Sequence, residues 1–347
     1  MIQIQNIYYM LSYAFQVLNE QGYKNLATEQ FNNTAELMAA ILAKGIGIQI
    51  KRGLGKEYIP ETEALSSLRG KIDIAESIKT QTMLKKQMIC TYDEFSVNGT
   101  MNRIIKSTVE LLLCSDISKK RKKELRKLMV YFGDVEPINL YSVNWNVQYN
   151  RNNQTYRMLI SICYLVVKGL LQTNSDGNTK LMDFFDEQRM CRLYEKFILE
   201  YYRREFPEII ANASQISWQL DDGVSEMLPA MQTDIMLAYC EKILIIDAKY
   251  YSHTTQAQFD THTLHSGNLY QIFTYVKNKE AELAAEPHEV SGMLLYAKTD
   301  EAIFPNNSYQ MSGNKISVRT LDLDCDFSAI AEQLNSIAET HFGLKVS

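Results

Sequence analysis

The 347-residue sequence lacks the cysteine and histidine spacings that mark disulfide-stapled or zinc-bound folds. Its six cysteines are scattered and never form a CxxC pair, and its five histidines never form an HExxH motif. These absences argue against a disulfide framework, a structural zinc site and a zinc-protease helix. Scattered cysteines fit the reducing cytoplasm, where we expect the protein to reside.

Long apolar runs and an excess of positive charge are also missing. No stretch is apolar enough to span a bilayer and no signal peptide is evident, so we expect no membrane association. The formal net charge is −5, so any contact with nucleic acid must come from local basic patches. The hydrophobic content of 46% is ample for real cores, and the length suggests two or three domains.

A phosphate-binding loop is absent as well. The GLGK at residues 53–56 has Ile50 where the first glycine is required, and Glu57 where serine or threonine should follow. A turn is therefore predicted there. The sequence shows no sign that this chain binds a nucleotide itself.

The most basic segment is SKKRKKELRKL, which holds seven lysines and arginines over residues 119–127. It could touch phosphates or an acidic partner, or it could form the solvated face of a helix. The overall acidity of the chain favours the solvated face.

Hydrophobic periodicity predicts helices over residues 4–18, 31–48, 101–113, 155–171, 189–205, 268–277 and 327–340. Strands are predicted over residues 46–50, 57–59, 71–75, 214–220, 290–297 and 315–321, besides a hairpin at 231–251. The Asn-rich stretch 134–154 has few regular signals and places a domain boundary near residue 150. The second half indicates a mixed sheet flanked by helices, an α/β (α+β) fold class.

The hairpin at residues 231–251 carries the candidate chemistry. Asp247 and Lys249 are two apart on one strand and must share a face. A two-residue turn at Cys240–Glu241 would place Asp234 opposite Asp247, whereas a three-residue loop would turn it away. Paired carboxylates beside an apolar run favour a Mg²⁺ site, but an edge-strand salt bridge is an equally good interpretation of the hairpin alone.

Three further side chains are candidates. Glu195 lies beside the apolar stripe of the helix over 189–205, where it could be half-buried or pair with a neighbouring base. Gln271 and Tyr275 are four apart and lie on one face of the helix over 268–277. His265 lies in the preceding loop and is more simply explained as incidental.

The order of these pieces resembles the PD-(D/E)xK nuclease core. The matching pieces are LYEKF with Glu195, TDIML with Asp234, IIDAKYY with Asp247 and Lys249, and NLYQIFTY with Gln271 and Tyr275. The last piece resembles the QxxxY helix of the RecB-like branch. Thr233 stands where the motif's name would put proline.

A wider resemblance is to the McrC family, the nuclease subunits of McrBC modification-dependent restriction systems. It is carried by NIYYMLSYAF, RGLGKEY, LRGKIDIAESI, NRIIKST, LPAMQTDIMLAYCEKILIIDAKYY and HSGNLYQIFTYV. The resemblance implies an N-terminal mixed α/β domain, residues 1–150, that docks on and stimulates a hexameric AAA+ GTPase, the McrB-like partner. It also implies an endonuclease domain, residues 151–347. The partner would bind GTP and read the modified cytosine in double-stranded DNA.

The resemblance also implies roles for the site residues. Asp234 and Asp247 would bind Mg²⁺ with the Ala248 carbonyl, and Glu195 would bind directly or through water. Lys249 would orient the attacking water and offset charge on the scissile phosphate.

Two further residues receive roles in the same way. Gln271 would position DNA or support Lys249, and Tyr275 would pack the site or touch the DNA backbone. Tyr8 or Tyr9 would anchor the partner if exposed, although packing within the domain is the simpler expectation for each. Other functions remain open: an inert adaptor that only activates the partner, and a free-standing repair nuclease.

Overall fold

A computed structural model describes residues 2–15, 18, 23, 26, 29, 31–150, 153, 155–176, 187–250, 255–258, 261–298 and 304–345. The chain divides into two compact units. One comprises Met1–Gln30 with Phe185–Ser347, and the other comprises Phe31–Phe184. We call them the discontinuous unit and the inserted unit.

The inserted unit combines helices with a small antiparallel sheet of order β1-β3-β2. Its helices are α2 (Thr34–Arg52), α3 (Ile74–Lys79), α4 (Thr100–Cys114), α5 (Lys119–Met129) and α6 (Tyr156–Asp176). Its strands are β1 (Glu57–Leu65), β2 (Lys71–Asp73) and β3 (Met88–Ser96). Asn33 caps α2 by accepting from the amide of Glu36 at 2.8 Å, as a helix N-terminus requires.

The discontinuous unit is built on a six-stranded mixed sheet of order β12-β13-β11-β8-β7-β4. Strand β11 runs parallel to β8 and β13, and the other neighbours are antiparallel. The strands of this unit are β4 (Ile210–Asn212), β5 (Gln215–Ile216), β6 (Met231–Gln232), β7 (Ile235–Tyr239), β8 (Lys242–Lys249), β9 (Thr255–Gln258), β10 (Thr261–Leu264), β11 (Glu289–Ala297), β12 (Asn307–Met311) and β13 (Asn314–Leu321). Its helices are α1 (Ile4–Ala14), α7 (Glu187–Glu205), α8 (Ser266–Glu282) and α9 (Phe327–Phe342). The predicted mixed sheet with flanking helices is confirmed.

Strand β8 lies inside this sheet, which explains its continuous apolar run. Leu244, Ile245 and Ile246 are all fully buried, as expected for a strand covered on both faces. Ile245 packs in a cluster with Ile272 and Val276 of α8.

The division of the chain differs from the predicted boundary near residue 150. Helix α1 belongs to the discontinuous unit because the side-chain amide of Asn6 donates to the carbonyls of Leu323 (2.9 Å) and Cys325 (2.7 Å). The Tyr13 hydroxyl likewise donates to Glu205 at 2.8 Å. Helix α6 belongs instead to the inserted unit, so the boundary near 150 is revised to 30 and 184.

Several local predictions are wrong. The predicted strand 46–50 is the end of α2, because packing buries Ile46 fully and overrides the strand-like GIGIQI alternation. The predicted strand 71–75 stops at Asp73, which caps α3 by accepting from the amide of Glu76. The predicted strand 214–220 is reduced to Gln215–Ile216, and β3, β4, β9, β10 and β12 were not predicted.

Neither N-terminal tyrosine is an exposed anchor. Tyr8 is buried and its hydroxyl donates to backbone carbonyls of Leu18 and Tyr23, whereas Tyr9 stacks on Phe327 at 4.5 Å between ring centroids. The packing alternative is therefore confirmed for both. Within the described ranges, no helix has the length and apolar character needed to cross a membrane.

Candidate active site

The candidate site lies where β7 begins and the neighbouring strand β8 ends. Tyr239 pairs with Lys242, so the turn consists of two residues, Cys240–Glu241. Extending that register by one pair beyond the start of β7 places Asp234 across from Asp247. The two-residue turn that the carboxylate pairing required is present.

Hydrogen bonds hold these side chains in place. The backbone amide of Ala248 donates to Oδ2 of Asp234 at 3.0 Å. The Lys249 ammonium lies 2.8 Å from Oδ1 of Asp247, and the Asp247 side chain is only 1% exposed. Within the described part of the chain, Oδ2 of Asp247 has no hydrogen-bond partner. A buried carboxylate oxygen without a partner is costly, so this atom favours either a proton shared with Asp234 or a bound cation.

The environment makes Asp247 reluctant to ionise. Burial raises the pKa of its carboxyl, Lys249 opposes that effect, and the charge of Asp234 adds to it, for a value of about 7. Two interacting carboxylates resist being charged together, and the single ammonium of Lys249 compensates only one of the two negative charges. The electrostatics therefore favour a site that takes up positive charge.

Glu195 reaches the same place from α7. Burial raises the pKa of its carboxyl, and the charge of Asp234 raises it further, whereas Lys249 lowers it. The Cys191 thiol donates to Oε1 of Glu195 at 3.1 Å and lies 3.6 Å from the carbonyl oxygen of Ala248. Cys191 thus links two predicted metal ligands. Helical spacing places Cys191 in line with Glu195, whereas the approach to Ala248 was not predictable from the sequence.

Thr233 occupies the position that the motif's name assigns to proline, and its hydrogen bonds hold the backbone just before Asp234. It is buried, its hydroxyl donates to the carbonyl of Ser214 at 2.9 Å, and its oxygen accepts from the amide of Ser214 at 3.1 Å. These bonds fix the segment that presents Asp234. Sequence reasoning missed this role because the partner lies 19 residues away.

Gln271 and Tyr275 form a second chain of contacts. The Gln271 amide donates to the Tyr275 hydroxyl at 2.9 Å, which donates to the carbonyl of Gln232 at 3.1 Å. Tyr275 is buried, so its described contacts are those of a residue that packs α8 against the segment before Asp234. His265 occupies the N-cap position of α8 without a side-chain capping bond.

The donor set suits a hard divalent cation. The two aspartates and the Ala248 carbonyl offer oxygen ligands, which Mg²⁺ prefers. Among the described residues, no three or more His, Cys, Asp and Glu side chains are grouped to hold a metal ion. Asp234 and Asp247 are therefore the first candidates for holding an ion, and ligation by Glu195, directly or through water, stays a prediction.

Comparison with known proteins identifies the family of this chain. The profile of the family described as "McrBC 5-methylcytosine restriction system component" matches residues 3–297. The chain belongs to this family. The predicted family is thus confirmed over most of the chain, including every residue of the candidate site.

Individual relatives extend the comparison. The chain is 30% identical over 346 residues to the type IV methyl-directed restriction enzyme EcoKMcrBC of Escherichia coli K12, covering 98% of each. It is similar to a chain in the half-complex of Thermococcus gammatolerans McrB AAA+ hexamers with bound McrC, at 17% identity and a TM-score of 0.48. That match covers 94% of this chain and 75% of the other. A match to the T. gammatolerans McrBC complex has 21% identity, a TM-score of 0.40 and 58% coverage of both chains.

Proposed function

We propose that this chain is the DNA-cleaving subunit of a GTP-dependent restriction complex directed at modified cytosine. It would be a Mg²⁺-dependent endonuclease with a PD-(D/E)xK core, hydrolysing phosphodiester bonds of double-stranded DNA. The observation that carries the proposal is the buried Oδ2 of Asp247, which lacks a described partner beside Lys249 and faces Asp234. Membership of the McrBC family supplies the context.

The acidic residues of the site would bind the metal ion. Asp234 and Asp247 would hold Mg²⁺, with the Ala248 carbonyl as a further ligand and Glu195 acting through water. Bound there, the ion would supply charge for the phosphate oxygens and acidify a water molecule.

Lys249 is the cation that the chain itself contributes to the reaction. It is held against Asp247 at 2.8 Å, so its ammonium is fixed where it can orient water and offset charge on the scissile phosphate. Gln271 and Tyr275 would act by positioning, because their bonds run to each other and to Gln232.

The partner in this proposal is a McrB-like AAA+ GTPase hexamer, which would bind GTP and recognise the modified base. The inserted unit offers a surface for docking, since large apolar side chains are exposed on and beside its small sheet. They are Tyr58, Leu68, Ile74, Ile78, Met83, Leu84 and Phe95. Contiguous exposed apolar side chains are typical of interaction sites, and Tyr58 and Phe95 are in contact, with ring centroids 4.9 Å apart.

The test is DNA cleavage by the full chain with its AAA+ partner, GTP and Mg²⁺. Asp247→Asn and Lys249→Gln should each reduce cleavage by about two to three orders of magnitude while leaving stimulation of GTP hydrolysis intact. Lys242→Gln is the matched control, because Lys242 is exposed on the same strand. Undiminished cleavage by Asp247→Asn would refute the site assignment.

The same assay separates the two alternatives. Stimulated GTP hydrolysis without any cleavage by the unaltered protein would favour an inert adaptor. Cleavage without partner or GTP would favour a free-standing repair nuclease.

A further inference from the structure

Helix α5 presents a face of positive charge that no other residue described by the structure pairs with. It carries six cations besides the buried Arg121, namely Lys119, Lys120, Lys122, Lys123, Arg126 and Lys127. All but the partly buried Lys122 are exposed. None of the six side chains forms an ion pair or hydrogen bond with another residue that the structure describes, whereas α8 pairs Lys277 with Glu280 and Lys279 with Glu282.

These cations lie on one side of the helix. At 3.6 residues per turn, the six fall within an arc of roughly 160°, and they extend over about 12 Å of helix axis. Arg121 and Leu125 point the opposite way and are buried. The one acid on the helix, Glu124, is engaged by Arg121 at 2.6 Å and does not neutralise the face.

The arrangement is unfavourable for the helix itself. Lys119 and Lys120 stand in the first turn, where the helix dipole favours acids, and the first turn has no acid. Lys119 and Lys123, like Lys123 and Lys127, are like charges four residues apart, each pair costing about 0.2–0.5 kcal/mol. The chain as a whole carries a net charge of −5, so the positive charge of α5 contrasts with the acidity of the rest of the protein.

The helix is nevertheless held firmly. The buried carboxylate of Glu36 on α2 accepts from both the amide and the hydroxyl of Ser118, each at 2.8 Å, and lies 3.5 Å from the Arg121 guanidinium. Asn33, which precedes α2, donates to the carbonyl of Asp116 at 2.9 Å, just before α5 begins. The cations therefore project from a fixed backbone.

We propose that this face of α5 binds the phosphate backbone of double-stranded DNA, outside the catalytic site. Duplex DNA carries about one negative charge per 1.7 Å of axis, so about 12 Å of helix faces several phosphates. Five of the six cations are lysines, which suit phosphates as point charges. Cores of protein interfaces are poor in lysine and rich in aromatic residues. The exposed apolar residues here, Val130 and Tyr131, come only after the helix has ended.

The inference rests on the proposed function only for the identity of the polyanion. Contacts of this kind carry no sequence information but hold the duplex. This face would therefore contribute affinity equally for modified and unmodified DNA.

The experiment measures binding of a short fluorescent unmodified duplex to the full chain, without Mg²⁺, across about 50–200 mM salt. The triple variant Lys119→Gln, Lys123→Gln, Arg126→Gln should weaken binding roughly ten- to hundredfold at low salt. The slope of log affinity against log salt should fall by about 1 for each phosphate that is no longer neutralised. The matched control, Lys71→Gln, Lys85→Gln, Lys86→Gln, removes the same charge from exposed positions of the inserted unit and should bind like the unaltered protein.

Two results would overturn the proposal. One is a negative DNA-binding measurement: either the triple variant keeps the affinity and salt slope of the unaltered chain, or the unaltered chain shows no salt-dependent binding. The other is loss of AAA+ partner binding in the triple variant and in Val130→Ser, Tyr131→Ser with DNA affinity unchanged, which would assign the face to a protein. Because cleavage is not measured, failure of the nuclease proposal would leave this result interpretable.

Discussion

The amide of Ala248 lies 3.0 Å from Oδ2 of Asp234, and this contact fixes how the two strands of the hairpin bring their carboxylates together. It exists because the turn at Cys240–Glu241 has two residues. Inserting one glycine between them should move Asp234 out of register and reduce DNA cleavage about a hundredfold, with GTPase stimulation retained. Plasmid cleavage and GTP turnover, measured on the same preparation, check this.

The control for the insertion keeps the loop length. Cys240 has φ of +51°, a conformation that glycine adopts without strain. Cys240→Gly should raise the free energy of unfolding by about 0.5–1 kcal/mol and leave cleavage unchanged. Full cleavage by the insertion variant would contradict the role given to the turn.

A second prediction concerns the packing of α8 on the sheet. A Cβ at Gly292 would lie 2.9 Å from side-chain atoms of both Ile272 and Val276, closer than real contacts. Gly292→Ala should therefore push α8 outward, lower stability by about 1–3 kcal/mol, and reduce cleavage roughly ten- to hundredfold by displacing Gln271 and Tyr275. Urea unfolding and cleavage rates measure the two effects.

The matched control is at the start of the same helix. A Cβ at Gly267 would meet no neighbouring atom within 4 Å, so Gly267→Ala should be neutral or slightly stabilising. Equal behaviour of the two alanine variants would show that α8 is not packed as described.

The third prediction follows from the pKa of Asp247, which burial raises to about 7. The folded state holds this proton more tightly than the unfolded chain, so this carboxyl's contribution to metal-free stability is lost as pH rises through about 7. Mg²⁺ must displace the same proton, so its apparent affinity should rise about tenfold between about pH 6 and pH 8. The Mg²⁺-induced shift in Tm, measured at both pH values, should be larger at the higher one.

The Asp247→Asn variant serves as the control for this titration. Without the carboxylate, the Mg²⁺-induced shift should be small at both pH values. A shift in the unaltered protein that does not depend on pH would mean that Asp247 is not a ligand.

The fourth prediction tests the attachment of α1. Asn6→Ala removes two hydrogen bonds to the carbonyls of Leu323 and Cys325 and should cost about 2–3 kcal/mol of unfolding free energy. Gln3→Ala, at an exposed position before the same helix, should change stability by less than about 0.5 kcal/mol. Similar losses in both variants would show that Asn6 is not a specific anchor.

The sequence was most informative where covalent geometry dictates the outcome. Strand alternation placed Asp247 and Lys249 on one face without any knowledge of the fold, and helical spacing placed Glu195 beside a buried stripe. Turn length could not be derived in this way, since Cys240–Glu241 has none of the usual turn residues.

Contacts between residues far apart in the chain could not be predicted from the sequence. Asn6 binds a carbonyl 317 residues away, so nothing local indicated that α1 belongs with the C-terminal elements. Thr233 contacts Ser214 and Cys191 contacts Ala248, and each pair is brought together only by folding. The strand predicted over residues 46–50 is wrong because GIGIQI has the alternating pattern of a strand, whereas the segment is the end of α2 and buries Ile46 fully.

The discontinuity of the larger unit has a consequence for synthesis on the ribosome. Helix α1 emerges long before its acceptors at Leu323 and Cys325, which follow Asn6 by 317 and 319 residues. The inserted unit, which is continuous in sequence, can fold while the ribosome is still adding the rest. The six-stranded sheet that carries the carboxylate pair can therefore be completed only after β13 has been translated, so a product truncated before β13 would carry the inserted unit without an assembled candidate nuclease.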